Sequence, residues 1–265
     1  MIHDLIPIQV SAHPENPNIF YNRLQDAHRH TQCIYVSKET KRLAEDIIDI
    51  DNIDFKDTKI INPLPSLNFE LLSKASNLNK IRDIDKPFIL FNSSIVERKR
   101  VENALKYYMN SNLSERNVLL CIAGKLHNSK YCNFIKSICK DNNNILLLDY
   151  VSDLEKAWLF LHSSLLLSTS STEGFGIPVL DALSIDMPVL ASDIPSHNEI
   201  EQLKEFNNIK LINLNNEEIW INYLNKLSIF ALDDIDKKLN RIEKFNNSLI
   251  NLEKNSISKI KKFIS

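Results

Sequence analysis

The chain has 265 residues, of which 43% are hydrophobic, and a formal net charge of −2 at pH 7. This length can bury a sizeable core in one large or two modest domains, whereas the near-neutral charge gives no electrostatic basis for binding nucleic acid. No apolar run approaches the roughly 20 residues of a membrane span, and Asp4 stands where a signal peptide would be basic and apolar, so we expect a cytoplasmic protein.

Residues 1–65 are predicted to form part of an α/β domain. A strand that ends at Pro7, before further breaks at Pro14 and Pro17, opens the chain. The next predicted elements are a helix over Ile19–Thr31, a strand at Cys33–Val36, a helix capped by Ser37 and a strand at Lys59–Asn62. Two or three strands and two helices are too few to cover a sheet on both faces, which indicates a partial domain.

Residues 66–87 are polar and are predicted to form a linker. Regular alternation follows over residues 88–232. Predicted strands begin at Phe88, Val118, Ile145, Leu165, Pro188 and Ile209, with helices between them. This order is typical of a Rossmann-like α/β domain, a mostly parallel sheet with helices on both faces that binds ligands at the carboxyl ends of its strands.

The C-terminal stretch from Glu217 is helical in pattern, and residues 233–265 are predicted to form a tail that packs back toward the N-terminal part. Its apolar positions at helical spacing are interpreted as packing faces: Trp220, Tyr223, Leu224, Leu227, Leu239, Ile242, Phe245, Leu249 and Leu252. Lys259, Lys261 and Lys262 form either a solvated basic end, which we favour, or a peripheral contact with an anionic membrane.

The stretch from Ser168 to Glu199 holds two of the three glycines in the chain. Glu173, Gly174, Phe175 and Gly176 lie between a predicted strand and a helix that begins at Ile177, an arrangement that directs backbone N–H groups and a helix dipole at an anion. Carboxylates repel phosphates, so the residues themselves assign Glu173 and Asp181 to sugar hydroxyl groups. A plain turn with a solvated Asp181 remains the alternative, since isolated glycine loops are weak signals.

Three consecutive cations, Arg98, Lys99 and Arg100, follow the Phe88 strand at the predicted start of a helix over residues 98–109. Cations at a helix start oppose its dipole, and a bound diphosphate would explain their placement. Arg98 would bind phosphate oxygens through two hydrogen bonds, and Lys99 would supply a point charge. A solvated basic patch is the alternative.

Three further residue types carry weaker signals. Gly124 marks either a close backbone approach or a turn, and His3 is either a general acid-base or a structural residue. The four cysteines lack C-x-x-C spacing and are interpreted as reduced thiols rather than zinc ligands: Cys33, Cys121, Cys132 and Cys139.

Ser171–Ala182 resembles the donor-site signature of the retaining glycosyltransferases of family 4, in which two glutamates with seven residues between them flank Gly-Phe-Gly-x-Pro. Further segments resemble that family in the right order along nearly the whole chain: His3–Pro7, Val36–Lys41, Phe91–Lys99, Asp149–Leu154 and Pro188–Ser192. The resemblance implies the GT-B fold, in which two Rossmann-like domains face each other across a cleft.

By position in this resemblance, Lys99 binds the donor diphosphate with Arg98 beside it, and Glu173 contacts the sugar near the reacting carbon. The N–H groups of Gly174 to Ile177 meet the sugar or the phosphates. Asp181 holds the ribose, the backbone at Tyr150 and Val151 borders the base, and transfer proceeds with retention and without a metal or a cofactor beyond the nucleotide sugar.

Three positions and the short N-terminal part depart from the family pattern. Asp181 stands where the family has Glu, Ser93 where it has a phosphate-side glycine, and Ser94 where many members have Arg. Moreover, residues 1–65 match only the end of the family's first, acceptor-side domain. The chain is therefore expected to be a fragment, to have a reduced acceptor domain, or to be completed by a protein partner.

Two functions follow from this resemblance. The first is a glycosyltransferase that uses a nucleotide-diphosphate-sugar and a glycan, lipid-linked or protein acceptor, in polysaccharide biosynthesis at the inner face of the membrane or elsewhere in the cytoplasm. The second is a non-catalytic subunit or remnant that binds the nucleotide sugar and acts with a partner transferase.

Overall fold

The computed structural model describes residues 1–6, 16–30, 33–47, 58–78, 80–82, 84–203, 206–229, 231 and 234–264. The breaks predicted at Pro7 and Pro14, and the helix end predicted at Thr31, lie outside these residues. The chain divides into two compact units. The first comprises Met1–Leu64, Glu173–Gly176 and Asn251–Ser265, and the second comprises Pro65–Thr172 and Ile177–Ile250.

The first unit contains a short parallel pair of strands. Strand β1 (Ile34–Tyr35) pairs with β2 (Lys59–Ile60), and Ile2 forms a further parallel bridge to Tyr35. Helices α1 (Pro17–His30) and α2 (Lys38–Ile47) also belong to this unit, as does the last part of the C-terminal helix, from Asn251. One cluster of buried hydrophobic side chains among its described residues comprises Leu5, Leu24, Cys33, Tyr35 and Ala44.

The second unit holds a six-stranded sheet in which every pairing is parallel. Its strands are β3 (Phe88–Asn92), β4 (Leu119–Ala123), β5 (Ile145–Asp149), β6 (Leu166–Ser168), β7 (Val189–Ser192) and β8 (Ile209–Ile212). Its helices are α3 (Phe69–Ser76), α4 (Val101–Met109), α5 (Lys130–Lys140), α6 (Asp153–His162), α7 (Ile177–Ser184), α8 (Pro195–Glu201) and α9 (Glu217–Asn225). A long helix, α10 (Ile235–Ile264), ends the chain.

The strand order is β5-β4-β3-β6-β7-β8. The chain moves from β3 to one edge of the sheet and then returns to place β6 beside β3. Because parallel crossovers are right-handed, α4 and α5 lie on one face and α6, α7 and α8 on the other. The reversal between β3 and β6 is a topological switch point, where parallel sheets bind ligands at the carboxyl ends of their strands.

The four central strands, β3, β4, β6 and β7, are largely buried and are mainly apolar runs, as expected for a parallel sheet that is covered on both faces. Phe88, Ile89 and Leu90 are fully buried, and the indole of Trp158 stacks on the Phe88 ring at a centroid distance of 5.8 Å. Each such side chain contributes about 1.5–3 kcal/mol when it is buried. The predicted α/β class with a parallel, Rossmann-like sheet is confirmed.

Several element boundaries differ from the prediction. The helix predicted from Arg98 begins at Val101, because Arg100 adopts a left-handed conformation with φ of 48° and separates it from a 3-10 turn over Glu97–Lys99. The helix predicted near Glu199–Phe206 is α8, which begins at Pro195.

Other residues differ from the predicted packing. The segment predicted as a linker contains α3, which Asn68 caps and which packs against α6. On α10, Phe245 and Leu252 are buried as expected, whereas Leu239 is 57% exposed. The same helix also buries a charged side chain, that of Arg241. Arg241 donates from Nη1 to the carbonyl oxygens of Phe160 and Leu161 at 2.9 and 2.6 Å.

All four cysteines are buried, and none of them forms a disulfide. Within the described residues, no helix combines the length and the apolar character that crossing a membrane requires.

Candidate functional site

The loops that follow β3 and β6 are joined at the switch point by hydrogen bonds to main-chain carbonyls. The Ser171 N–H and hydroxyl both donate to the Arg98 carbonyl, at 2.8 and 3.0 Å. The Thr169 hydroxyl lies 3.1 Å from the Lys99 carbonyl and 2.7 Å from the Arg100 carbonyl. The main chain of the basic run is thereby held against the loop that leads to the glycine motif.

The three cations of this run have different environments. Lys99 is buried, with 6% of its surface exposed, while Arg98 is half-buried and donates from Nη1 to the Thr172 carbonyl at 3.2 Å. Arg100 is exposed and its guanidinium lies 3.6 Å from the Glu102 carboxylate. Arg98 and Lys99 are therefore the two cations that this loop pairing positions.

Ser93 and Gly124 meet at the ends of β3 and β4. A Cβ atom on Gly124 would lie 1.7 Å from the Ser93 carbonyl oxygen, so the structure has the close backbone approach that was one of the two predictions for this glycine. The Ser93 N–H donates to the Ala123 carbonyl at 2.9 Å and the Gly124 N–H to the Asp149 carbonyl at 2.9 Å. The loops after β3, β4 and β5 are thus connected side by side.

The loop between β5 and α6 carries Tyr150 and Val151, the residues predicted beside the base. Asp149 has a φ of 58°, and 69% of the Tyr150 surface is exposed. The Arg82 guanidinium donates to the carbonyls of Leu148 and Tyr150, at 3.3 and 3.1 Å. Arg82 therefore occupies main-chain acceptors on both sides of Asp149.

Arg82 also pairs with Glu155, since its Nε lies 2.6 Å from Glu155 Oε1. Glu155 Oε2 accepts from the Ser152 N–H at 2.7 Å, and the Glu155 N–H donates back to the Ser152 hydroxyl in a capping box. The hydrogen bond from Arg82 is the main cause that lowers the pKa of Glu155 to about 2. The carboxylate is thus ionised at neutral pH and ties Arg82 to the start of α6.

Asp181 lies in α7 and is fully buried. Its Oδ1 accepts from the main-chain N–H groups of Ser66 and Leu67 at 2.5 and 3.3 Å. Its Oδ2 accepts from the Ser66 hydroxyl and the Lys156 ammonium, each at 2.7 Å. The carboxylate that was predicted to hold a ribose thus has three protein partners.

The first unit contains the predicted residues His3, Glu173, Gly174, Phe175 and Gly176. A Cβ atom on Gly174 would lie 2.1 Å from the His3 carbonyl oxygen, and Gly176 has a φ of 104° that glycine adopts readily. The hydroxyl groups of two residues of this unit, Ser37 and Thr40, donate to the Gly174 carbonyl at 2.6 and 3.1 Å. Glycine is therefore favoured at position 174 by the close approach of His3 and at position 176 by the positive φ.

The structure therefore brings the predicted residues together in two groups. The second unit places one group along the carboxyl edge of its sheet: Ser93, Arg98, Lys99, Gly124, Tyr150, Val151, Ile177 and Asp181. The first unit holds the other group, His3 with Glu173 to Gly176. Among the described residues, no group of three or more His, Cys, Asp or Glu side chains has a metal-binding arrangement.

Sequence reasoning missed the side chains that hold these groups in place, namely Ser66, Arg82, Lys156 and Thr169. Arg82 lies 66 residues from Leu148 along the chain, and Asp181 lies 115 residues from Ser66. No local pattern links such positions.

A six-stranded parallel sheet with this strand order, together with the likeness to solved glycosyltransferases, defines an α/β protein of the GT-B fold type. The chain belongs to the family described as glycosyl transferases group 1, whose model matches residues 75–245. The prediction of a glycosyltransferase is thereby confirmed at the level of the family.

Solved structures of several glycosyltransferases have a similar fold. Sucrose-phosphate synthase of Thermosynechococcus elongatus superposes with a TM-score of 0.68 at 15% identity, over 98% of this chain and 65% of that one. Anabaena HepE, solved with UDP and glucose, also has a TM-score of 0.68 at 15% identity, over 98% of this chain and 70% of that one. Trehalose 6-phosphate synthase of Burkholderia multivorans superposes with a TM-score of 0.62 at 10% identity, over 91% of this chain and 61% of that one.

The chain thus spans about three fifths of the length of the trehalose 6-phosphate and sucrose-phosphate synthases that it resembles. A search of curated proteins by sequence gave no match.

Proposed function

We propose that this chain acts as a glycosyltransferase that moves a sugar from a nucleotide-diphosphate-sugar to a glycan, lipid-linked or protein acceptor. The observation that carries the proposal is the hydrogen-bonded pair of loops at the switch point, in a chain of the group 1 family. These loops position two cations, Arg98 and Lys99, at the sheet edge where anionic ligands bind.

The chemistry assigned to this edge is the stabilisation of a departing diphosphate. In glycosyl transfer the bond between the anomeric carbon and the phosphate oxygen breaks, and negative charge develops on the diphosphate. The Lys99 ammonium and the Arg98 guanidinium would neutralise that charge, which is commonly the largest contribution to catalysis. We assign Glu173 to the transferred sugar and the N–H groups of Gly174 to Ile177 to the sugar or phosphates.

We assign the remaining nucleotide contacts to the loop at Tyr150 and Val151, beside the base. HepE was solved with UDP and with UDP-glucose, so UDP and UDP-glucose are the first probes for this chain. We further propose retention of the anomeric configuration and transfer without a metal ion, on the resemblance of Ser171–Ala182 to the family 4 signature.

Calorimetric titration with UDP, ADP and GDP, followed by assays of donor hydrolysis, tests this function. The Lys99→Ala variant is expected to lower the rate by about 100-fold to 1,000-fold, as for the loss of one transition-state donor. Lys106→Met is the matched control, since Lys106 forms an ion pair with Glu217 on the α4 face of the sheet.

Each outcome has a defined meaning. Nucleotide binding with turnover that Lys99→Ala abolishes supports the transferase. Binding without turnover, alone or with acceptors, supports the second candidate, a non-catalytic nucleotide-sugar-binding subunit. The absence of binding by every nucleotide overturns both. Activity in EDTA and the anomeric coupling constant of the product, measured by NMR, test metal independence and retention.

A further inference from the structure

The Asp181 carboxylate has no acceptor capacity left for a ligand. An ionised carboxylate offers about four lone-pair sites, and four hydrogen bonds reach this one. Two come from the Ser66 N–H and hydroxyl, one from the Leu67 N–H and one from the Lys156 ammonium. Because Asp181 is also fully buried, a ligand hydroxyl reaches it only by displacing one of these donors.

The accessible part of this cluster is instead formed by Lys156 and Ser66. The Lys156 side chain is 20% exposed, whereas that of Asp181 is 0% exposed, and Ser66 is exposed. Within the described part of the chain, Asp181 and the Ser66 hydroxyl are the two acceptors for the three N–H groups of the ammonium. The Phe160 ring centroid lies 5.5 Å from Nζ, within the range of a cation–π interaction. One N–H group thus remains for a ligand.

The cluster lies at the ligand-binding edge of the sheet. Lys156 is in the first turns of α6, directly after the Tyr150 loop, and Asp181 is in the first turns of α7, after the β6 loop. Helices that follow parallel strands begin at the carboxyl ends of those strands, which is also where Arg98 and Lys99 lie. Lys156 therefore shares that edge with the proposed diphosphate contacts.

The charge of the cluster indicates which ligand group it contacts. Asp181 neutralises Lys156 at 2.7 Å, so the pair presents a hydrogen-bond donor without the net positive charge that attracts a phosphate. Uncharged oxygen atoms suit such a donor, and a nucleotide carries them as ribose hydroxyls and as base carbonyls.

We propose that Lys156 donates a hydrogen bond to a ribose hydroxyl of the nucleotide, and that Asp181 is a positioning residue that holds Lys156 and Ser66 in place. This inference rests on the proposed function, because it requires that a nucleotide bind at this edge. It differs from the prediction in which Asp181 itself contacts the ribose.

The experiment is calorimetric titration of UDP, ADP and GDP, each with its 2′-deoxy and 3′-deoxy analogues, into wild-type, Lys156→Met, Lys156→Gln and Lys106→Met proteins. Wild type is expected to bind one ribonucleotide about 10-fold more tightly than one of its deoxy analogues, as for one charge-assisted hydrogen bond. Lys156→Met is expected to bind both equally, and Lys156→Gln, which keeps N–H donors, to recover part of the difference. Lys106→Met is expected to match wild type.

Two failures are distinguishable. If wild type binds no nucleotide, the proposed function is wrong and the inference falls with it. If wild type binds and Lys156→Met keeps the full preference for the ribonucleotide, or weakens ribo and deoxy forms equally, the inference alone is overturned. If thermal unfolding shows that the Lys156→Met variant is not folded, the same criteria apply to Lys156→Gln.

Discussion

At Gly174 the first unit has no room for a side chain. A methyl group there would lie 2.1 Å from the His3 carbonyl and 2.9 Å from Asp4 Cβ, and both neighbours are backbone or Cβ atoms that cannot rotate away. We expect Gly174→Ala to destabilise the protein by about 1–3 kcal/mol, as overpacking does. Thermal unfolding measures the loss.

Ser73→Ala, at an exposed position of α3, is the control for this substitution. If the Gly174→Ala variant unfolds at the same temperature as wild type, the loop at Glu173 does not have the close packing described above.

His162 is expected to make stability depend on pH. Burial lowers its pKa to about 4, its Nδ1 lies 2.8 Å from the Trp158 carbonyl, and its Nε2 has no partner among the described residues. The unfolded chain binds a proton near pH 6.5, whereas the folded chain does so only near pH 4. Stability is therefore full above pH 6.5 and decreases as the pH falls toward 4, by up to about 3 kcal/mol for this group.

Urea unfolding at intervals between pH 4 and pH 7.5 measures this dependence. His162→Phe keeps a ring beside Trp158, on which His162 stacks at 4.1 Å, and is expected to flatten the profile between pH 4 and pH 6.5. An unchanged slope in that variant would contradict the assignment.

At the scale of elements, the contacts of Arg82 with the β5–α6 loop lead to a separate prediction. Arg82→Ala removes donors to the Leu148 and Tyr150 carbonyls and the ion pair with Glu155. The loop is then expected to exchange its amide hydrogens faster at residues 149–152 and to bind nucleotide several-fold more weakly.

Hydrogen exchange by mass spectrometry and titration with UDP measure these two effects, and Arg42→Ala, whose ion pairs lie within α2, is the control. Unchanged exchange in Arg82→Ala would show that these contacts do not order the loop. Arg82→Lys keeps the positive charge but loses the planar guanidinium, which donates to several acceptors at once. This variant is therefore expected to recover only part of the UDP affinity.

The elements themselves were largely predictable because each buried strand is an apolar run bounded by small or polar residues, as at Phe88–Asn92. Their ends were less predictable. The left-handed conformation of Arg100 gives no sequence signal, and it moved the basic run from the helix start to a 3-10 turn.

The candidate site was predictable to the extent that its residues follow strands directly, as Ser93 and Gly124 do. The partners of Asp181 were not, because hydrogen bonds across 115 residues of sequence follow from the tertiary fold.

For the whole molecule, the two units are expected to unfold at different denaturant concentrations. The described residues of the first unit include far fewer buried hydrophobic side chains than those of the second, and burial of apolar area dominates stability. Pulsed thiol labelling during urea unfolding separates the units, since Cys33 belongs to the first and Cys121 to the second.

Cys33 is expected to react at a lower urea concentration than Cys121. Both tryptophans, Trp158 and Trp220, belong to the second unit, so their fluorescence should follow Cys121. A single transition shared by both thiols and the fluorescence would show that the units unfold as one.

The hydroxyl groups of Thr169 and Ser171 hold the carbonyls of all three consecutive cations, so the main chain of the basic run is ordered before any ligand arrives. A loop that is already ordered loses little conformational entropy on binding. The thermodynamic signature follows from this. Nucleotide association should carry a small entropic penalty, and Thr169→Ala should increase that penalty while leaving every ligand-contacting side chain in the sequence.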